Sequence, residues 1–210
     1  MLAWSRAINL TAIREPADVA RLHVLDSLTA VRPLRDRGID AFLDLGSGGG
    51  YPGLPLALAL PATEAVLVDS VGKKVAFLET VVSALPPAPE GSPTIRARRA
   101  RAEELSADPL ERERWPAVLV RAVADLGELI ELSFPLLRPG GWLVAWKRGD
   151  IVAELSAAEG ALDALGGGAI DIRDAALAAL PGHRLVFVRK DRPTAPRWPR
   201  PVAERRRRAW

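Results

Sequence analysis

The chain contains no cysteine and only two histidines, His23 and His183. The first absence excludes a disulfide framework, a thiolate metal site and a cysteine nucleophile. With two imidazoles, a dedicated zinc site is not expected, and no metal is. No apolar run is long enough to cross a bilayer, and no signal-peptide pattern opens the chain. The expectation is a cytoplasmic protein without a membrane partner.

What is present is a chain of 210 residues, 49% of them hydrophobic. That is one ordinary domain with short extensions, able to bury a substantial core, and not a disordered polymer. The formal charge is +3 overall, yet residues 189–210 carry nine basic and two acidic side chains. Residues 1–188 are therefore net acidic, and the high isoelectric point belongs to the tail. Such an arginine-rich end suits an anionic partner, nucleic acid first, or a solvated disordered end.

The chain is organised around residues 41–53, Ala-Phe-Leu-Asp-Leu-Gly-Ser-Gly-Gly-Gly-Tyr-Pro-Gly. An apolar run with one acid, Asp44, breaks into Gly46, Gly48, Gly49, Gly50 and Gly53, and a second apolar stretch begins at Leu54. This reads as a buried strand, a tight turn and a helix start. Glycine lets a ligand approach the backbone, and a helix start offers N–H groups. The turn is built to cradle a nucleotide-like ligand. Gly48-x-Gly50-x-x-Gly53 matches the dinucleotide fingerprint, a weak signal by itself. The fuller string Asp44-x-Gly46-x-Gly48-x-Gly50 resembles the first motif of methyltransferases that bind S-adenosylmethionine.

Strands and helices alternate from there. Strands are expected at 41–45, 64–69, 94–97, 116–120, 142–147, 170–172 and 184–188. Helices are expected over 16–30, 71–85 and 150–165, with another after a cap formed by Asp125 and Glu128. Residues 1–14 read as short and mixed, and Pro86 to Pro93 as a loop. The pattern predicts a doubly wound α/β fold with a mostly parallel seven-stranded sheet. Ligands of such sheets bind at the carboxyl ends of strands. The division expected is a helical segment 1–38, a domain 39–190 and a basic tail 191–210.

Several residues fall at or just after strand ends. Asp69 ends the second strand about twenty residues after the glycine turn, where a carboxylate can accept both ribose hydroxyls of a nucleoside. It can equally cap the helix that follows. Tyr51 can wall a ligand or simply pack. Ala102-Glu103 after the third strand would meet an adenine edge, or Glu103 is a surface acid among arginines. Arg121 ends an apolar strand and needs an anionic or carbonyl partner. Lys147 at another strand end is a candidate phosphate contact. His23, Asp26 and Ser27 lie three and four apart on one helix, either facing a ligand or forming a local hydrogen-bonded group.

Asn9-Leu10-Thr11-Ala12-Ile13, Arg21-Leu22-His23-Val24-Leu25-Asp26-Ser27 and Asp44 to Pro55 occur in that order. Asp69 to Lys74, Arg99-Ala100-Arg101-Ala102-Glu103 and Val120 to Ala124 continue the series. Together they resemble the bacterial small-subunit ribosomal RNA 7-methylguanosine methyltransferases, also called glucose-inhibited division protein B. The resemblance runs from about Asn9 to Lys190. It implies a Rossmann-like fold, S-adenosylmethionine as methyl donor and a guanine of 16S ribosomal RNA, naked or in the 30S subunit, as acceptor. Family cofactor positions fall on Gly46, Tyr51, Ala102, Glu103 and Arg121, to which the reading above adds Gly48 and Asp69. Further motif residues fall on His23, Asp26 and Lys147. A monomer is expected. Family members usually carry a longer helical segment before the Asn-Leu-Thr motif, whereas eight residues precede it here.

The residues suit that chemistry. Position 7 of guanine carries a lone pair at neutral pH, so no general base is assigned and Arg121 is a positioning residue. Cytosine-carbon methylation requires a cysteine, and methylation of exocyclic amines an Asn-Pro-Pro-aromatic stretch where Arg121 to Ala124 stands. Two alternatives stay open. One is an NAD-dependent oxidoreductase, for which the single tyrosine leaves no obvious Tyr-Lys pair. The other is a non-catalytic RNA-binding module resting on the tail.

Overall fold

The computed structural model describes residues 1–61, 64–86, 94–121 and 124–210. The expected proline-rich loop from residue 87 onward, and Ala122 and Val123, lie outside that set. The seven strands are β1 (Ala41–Leu45), β2 (Glu64–Asp69), β3 (Thr94–Arg99), β4 (Trp115–Arg121), β5 (Leu137–Arg148), β6 (Gly167–Asp174) and β7 (His183–Lys190). They form one sheet in the order β3-β2-β1-β4-β5-β7-β6. β2 runs parallel to β1 and β3, β5 parallel to β4, and β7 antiparallel to both of its neighbours. The expected doubly wound, mostly parallel sheet is therefore present. By contacts the chain divides into residues 1–100 with 175–181, and residues 101–174 with 182–210.

The first unit opens with α1 (Leu2–Ile8), a helix in the stretch read as short and mixed. Its Trp4 ring lies 5.6 Å from Phe77. Asn9 ends it in the left-handed conformation, a role asparagine tolerates. Pro16 starts α2 (Pro16–Val19) as expected, but the helix then widens into a π turn at Ala20–Leu25 before α3 (Asp26–Leu28). The wider turn breaks the 3.6 periodicity. Leu25 is 36% exposed, while Asp26 and Ser27 are buried. α4 (Val31–Asp36) leads to β1.

β1 and β2 read as near-continuous apolar runs because both of their faces are covered. α5 (Gly53–Ala59) and α6 (Gly72–Ser83) follow them. α6 buries Val75, Phe77 and Leu78, whereas Val71, just before it, is exposed. β3 extends two residues beyond the expected strand, to Arg99.

In the second unit α7 (Ala102–Ala107) precedes β4 and α8 (Leu126–Ser133) follows it. The core holds Trp115, Leu119, Ile130, Phe134, Val144 and Phe187. β5 starts five residues before the expected strand and includes Pro139-Gly140-Gly141. There Trp115 pairs Leu137 and Ala117 pairs Trp142, so the intervening residues bulge out. The single helix expected over 150–165 is two, α9 (Val152–Ala157) and α10 (Glu159–Leu165), ended by Gly166 at φ 87°. Asp125 makes no side-chain cap; the Leu126 N–H donates instead to Glu154 Oε1 at 2.6 Å. The tail is folded. Lys190 is fully buried and donates to Glu113 Oε1 (2.5 Å) and to the Phe134 and Leu137 carbonyls (2.7 Å each). Helix α11 (Val202–Arg207) lies beyond it.

Candidate active site

Within the first unit, the turn after β1 is fixed by its own chain. Gly46, Gly48 and Gly50 have φ of 78°, 57° and 92°, values that side-chain-bearing residues adopt at a cost. The Gly46 and Ser47 N–H groups donate to the Val68 carbonyl of β2 at 2.9 and 2.8 Å. Asp44 is fully buried, and its Oδ2 accepts from Ser47 Oγ (2.6 Å) and the Gly53 N–H (2.9 Å). The acid of the motif is therefore a clamp that closes the turn onto α5. The first helical N–H groups are used in the same way, since that of Leu54 donates to the Gly50 carbonyl at 2.8 Å. The helix start expected to offer its donors to a ligand thus gives these two to the protein.

Asp69 accepts backbone donors on both of its carboxylate oxygens. Its Oδ1 accepts from the Val71 N–H at 2.9 Å, just before α6; the N-cap position is Val71 and carries no side-chain cap, so the expected cap by Asp69 is not formed. Its Oδ2 accepts from the Gly48 N–H at 3.0 Å, with Lys74 Nζ 3.7 Å away. Each carboxylate oxygen keeps acceptor capacity beyond these bonds. A Cβ added at Gly48 would meet nothing nearer than the Gly46 carbonyl at 3.9 Å, so the turn has room beside it.

Tyr51 stacks on His23, with ring centroids 4.8 Å apart and planes 19° from parallel. His23 Nε2 is 2.8 Å from Thr11 Oγ1, and Ser5 Oγ holds Thr11 through its N–H (3.2 Å) and carbonyl (3.0 Å). Tyr51 and His23 are thus brought together, and through them the Asn-Leu-Thr segment is tied to the glycine turn. Asp26 is buried at 5% exposure, and His23 is half-buried.

In the second unit, Ala102 and Glu103 form the first turn of α7. Ala102 is buried, and Glu103 Oε1 accepts from Arg205 Nη2 at 2.5 Å. Burial pushes the Glu103 carboxyl up, but the Arg205 hydrogen bond and charge outweigh it and hold the group below the usual glutamate value. Arg121 is half-buried at the last position of β4. Lys147 Nζ donates to the Ala124 carbonyl at 2.9 Å and is paired with Glu154. The same Glu154 oxygen that receives the Leu126 N–H therefore engages the lysine.

Sequence reasoning passed over the tail anchors. Glu131 is fully buried and accepts from the Arg200 N–H (2.7 Å), Arg200 Nη2 (2.6 Å) and Trp210 Nε1 (2.7 Å). The hydrogen bond that the Arg200 guanidinium donates to Glu131 raises its pKa above the ordinary arginine value, outweighing burial, which lowers it. A signal existed: Glu131 stands among Leu129, Ile130 and Leu132, and an acid on an apolar stripe needs a cationic partner.

The family model for GidB, rRNA small subunit methyltransferase G, matches residues 1–173. The chain belongs to this family. It is 38% identical over 200 residues to the ribosomal RNA small subunit methyltransferase G of Roseiflexus sp. (strain RS-1), across 95% of this chain and 83% of that protein. To the protein of the same name from Deinococcus deserti it is 41% identical over 193 residues, across 91% and 77% of the two chains. Among solved structures, Trm1 from Pyrococcus horikoshii in complex with S-adenosyl-L-methionine superposes with a TM-score of 0.58. That match is 18% identical over 80% of this chain and 55% of the other, and it shows the fold alone. β7 is inserted antiparallel, which departs from the 3-2-1-4-5-6 order of dinucleotide-binding sheets. Among the described residues no group of three or more histidine or acidic side chains could hold a metal, and no helix is long and apolar enough to cross a membrane.

Proposed function

We propose that the protein transfers the methyl group of S-adenosylmethionine to N7 of a guanosine in 16S ribosomal RNA. The observation that carries this reading is the turn after β1, shaped by three glycines of positive φ and fastened through the Gly48 N–H to the carboxylate of Asp69. When bound, S-adenosylmethionine supplies a methyl group on a positively charged sulfur, which transfers to the acceptor nitrogen and leaves a neutral thioether. Everything else is the work of the chain's own residues. Gly46 and Gly48 let the nucleoside approach the backbone, Tyr51 borders it, and Asp69 receives ribose hydroxyls. Ala102 and Glu103 meet the adenine, and Arg121 holds the carboxylate of the methionine portion. A dinucleotide would ask its pyrophosphate donors of helix N–H groups that Asp44 and Gly50 already occupy.

N7 of guanine has its lone pair available, so the protein need not remove a proton. The site works by alignment, and no side chain is assigned as a general base. His23, Asp26 and Lys147 are the substrate-side candidates. A phosphate reaching Lys147 would have to displace Glu154. Residues 1–38 serve as a helical segment, 39–190 as the methyltransferase domain and 191–210 as a basic tail. The protein acts as a cytoplasmic monomer on 16S RNA or the 30S subunit.

The test is to incubate the full chain with unmodified 30S subunits, and separately with deproteinised 16S RNA, using labelled donor. The RNA is then digested and the methylated nucleosides mapped by mass. One 7-methylguanosine is expected. Label on another atom would refute the acceptor assignment. Tight RNA binding with no transfer to either substrate would favour a binding module instead.

A further inference from the structure

Arg205 lies in the run read as an RNA-facing tail, yet it does not face solvent. Its side chain is 9% exposed. The guanidinium reaches three acceptors: Glu103 Oε1 at 2.5 Å, Glu128 Oε1 at 3.3 Å and the Arg200 carbonyl at 2.6 Å. An arginine desolvated to this degree and spread over three acceptors has few donors to spare for a phosphate. Its neighbours Arg206, Arg207 and Arg208 are exposed. The run of four arginines therefore holds one inward member and three outward ones.

The place where Arg205 sits is built. Arg200, two residues before α11, is held by the buried Glu131 and lies over the Trp210 ring at 4.5 Å and the Trp198 ring at 5.5 Å. Trp210 fits against α8 because position 127 is glycine. A Cβ there would come within 2.7 Å of Trp210 Cβ. Arg200 in turn offers Arg205 its carbonyl. This chain of contacts ends on Glu103, in the first turn of α7, whose backbone is also fixed by the Arg101 N–H donating to Glu104 Oε2 at 2.8 Å.

We infer that Arg205 is a positioning residue for the methyl donor: it holds the Glu103 carboxylate and so fixes the Ala102–Glu103 segment that receives the adenosine. The inference rests on the site assignment under Proposed function. It makes the folded tail part of the donor site as well as a basic surface, with Arg205 acting through Glu103 and without touching the reacting atoms. Orientation by a neighbouring hydrogen bond is a common way of sharpening a binding group.

The test uses the full chain and S-adenosylhomocysteine titrated by calorimetry, with RNA affinity measured in parallel. Arg205→Ala is expected to weaken S-adenosylhomocysteine by about three- to thirtyfold, inside the roughly 2- to 150-fold range of coupling between contacting groups. Arg207→Ala removes the same charge from an exposed position and is expected to leave that affinity within about twofold while weakening RNA. Arg205→Lys, which keeps charge and most of the stem but loses the fork, is expected to fall between wild type and Arg205→Ala, and it serves if the alanine variant does not fold. In a Glu103→Ala background, Arg205→Ala is expected to have no further effect on the ligand. Asp69→Asn reports on the site assignment itself. If Asp69→Asn weakens the ligand while both Arg205 variants bind it as wild type does, the positioning role is overturned and the site stands. If Asp69→Asn changes nothing, the site assignment fails first. Equal losses from Arg205→Ala and Arg207→Ala would reduce the effect to net charge and also overturn the proposal.

Discussion

Replacing Gly53 by alanine is the sharpest probe of how the turn after β1 is held. Gly53 opens α5, so the substitution asks for no unusual backbone and should even favour the helix. Sterics decide against it. A Cβ at this position would lie 2.5 Å from Leu67 Cδ2, 2.6 Å from Asp44 Oδ2 and 2.7 Å from Asp44 Cβ. Asp44 and Leu67 are both fully buried, so neither can swing into solvent. Leu67 packs with Phe77 and Leu78, and Asp44 holds Ser47 and the Gly53 N–H itself. Overpacking a core costs about 1–3 kcal/mol, and loosening a hydrogen bond to a buried carboxylate about 1.5–3 kcal/mol. The sum is about 2.5–6 kcal/mol, hence a fall in Tm of roughly 5–24 °C for a domain of this size. Thermal melts and urea titrations by circular dichroism would measure it, the urea midpoint moving with little change in slope. Gly48→Ala is the comparison. Space beside Gly48 is open, but its φ is +57°, so the cost is the left-handed backbone alone, about 1–2 kcal/mol. Gly53→Ala melting within about 2 °C of wild type, or Gly48→Ala proving the more damaging of the two, would refute the clamp argument.

Three further outcomes are expected. Glu131→Ala leaves the Arg200 guanidinium and the Trp210 N–H without their buried acceptor, so it should cost about 3–5 kcal/mol and expose the tail to trypsin; unchanged cleavage kinetics would contradict it. His23→Ala removes the Tyr51 stack and the Thr11 hydrogen bond, about 1–3 kcal/mol together, and hydrogen exchange should quicken at Thr11 and Ile13; protection equal to wild type there would count against the linkage. Glu103 and Glu113 are both held below the ordinary glutamate value of 4.5. Burial opposes this in each case, and Arg205 for the first and Lys190 with the Thr194 N–H for the second reverse it. Below 4.5 the unfolded chain binds the more protons, so their contribution is complete above that pH and lost as pH falls through the lowered values. Urea midpoints should therefore drop below pH 4.5, more shallowly for Glu113→Gln; parallel pH profiles for the two proteins would exclude Glu113 as a source.

The strands of the first unit were readable because parallel strands covered on both faces must be apolar runs, and 41–45 and 64–69 match the structure to the residue. The glycine turn was readable for the same local reason. Its internal wiring was not. Whether Asp44 points at a ligand or closes the turn depends on the distance between α5 and β1, and no pattern of letters encodes that distance. The π turn at Ala20–Leu25 was hidden because its residues suit an ordinary helix equally well. The cap expected of Asp125 was displaced by Glu154, a residue 28 positions away from Leu126, and such long-range competition leaves no mark in a capping box. The tail shows the same limit most clearly. Composition reports nine cations in 22 residues, but only the fold reveals that Arg200 and Arg205 are inward-facing.

The wiring of the glycine turn has a thermodynamic corollary. The bonds from Val68, Asp44 and Asp69 hold that loop from within the chain, so its curvature does not depend on a small molecule. A visitor then gives up its own freedom but need not freeze the loop, and association should be fast, with little of the entropic penalty that accompanies ordering a flexible lid. Specificity at this end of the molecule would come from shape held in advance.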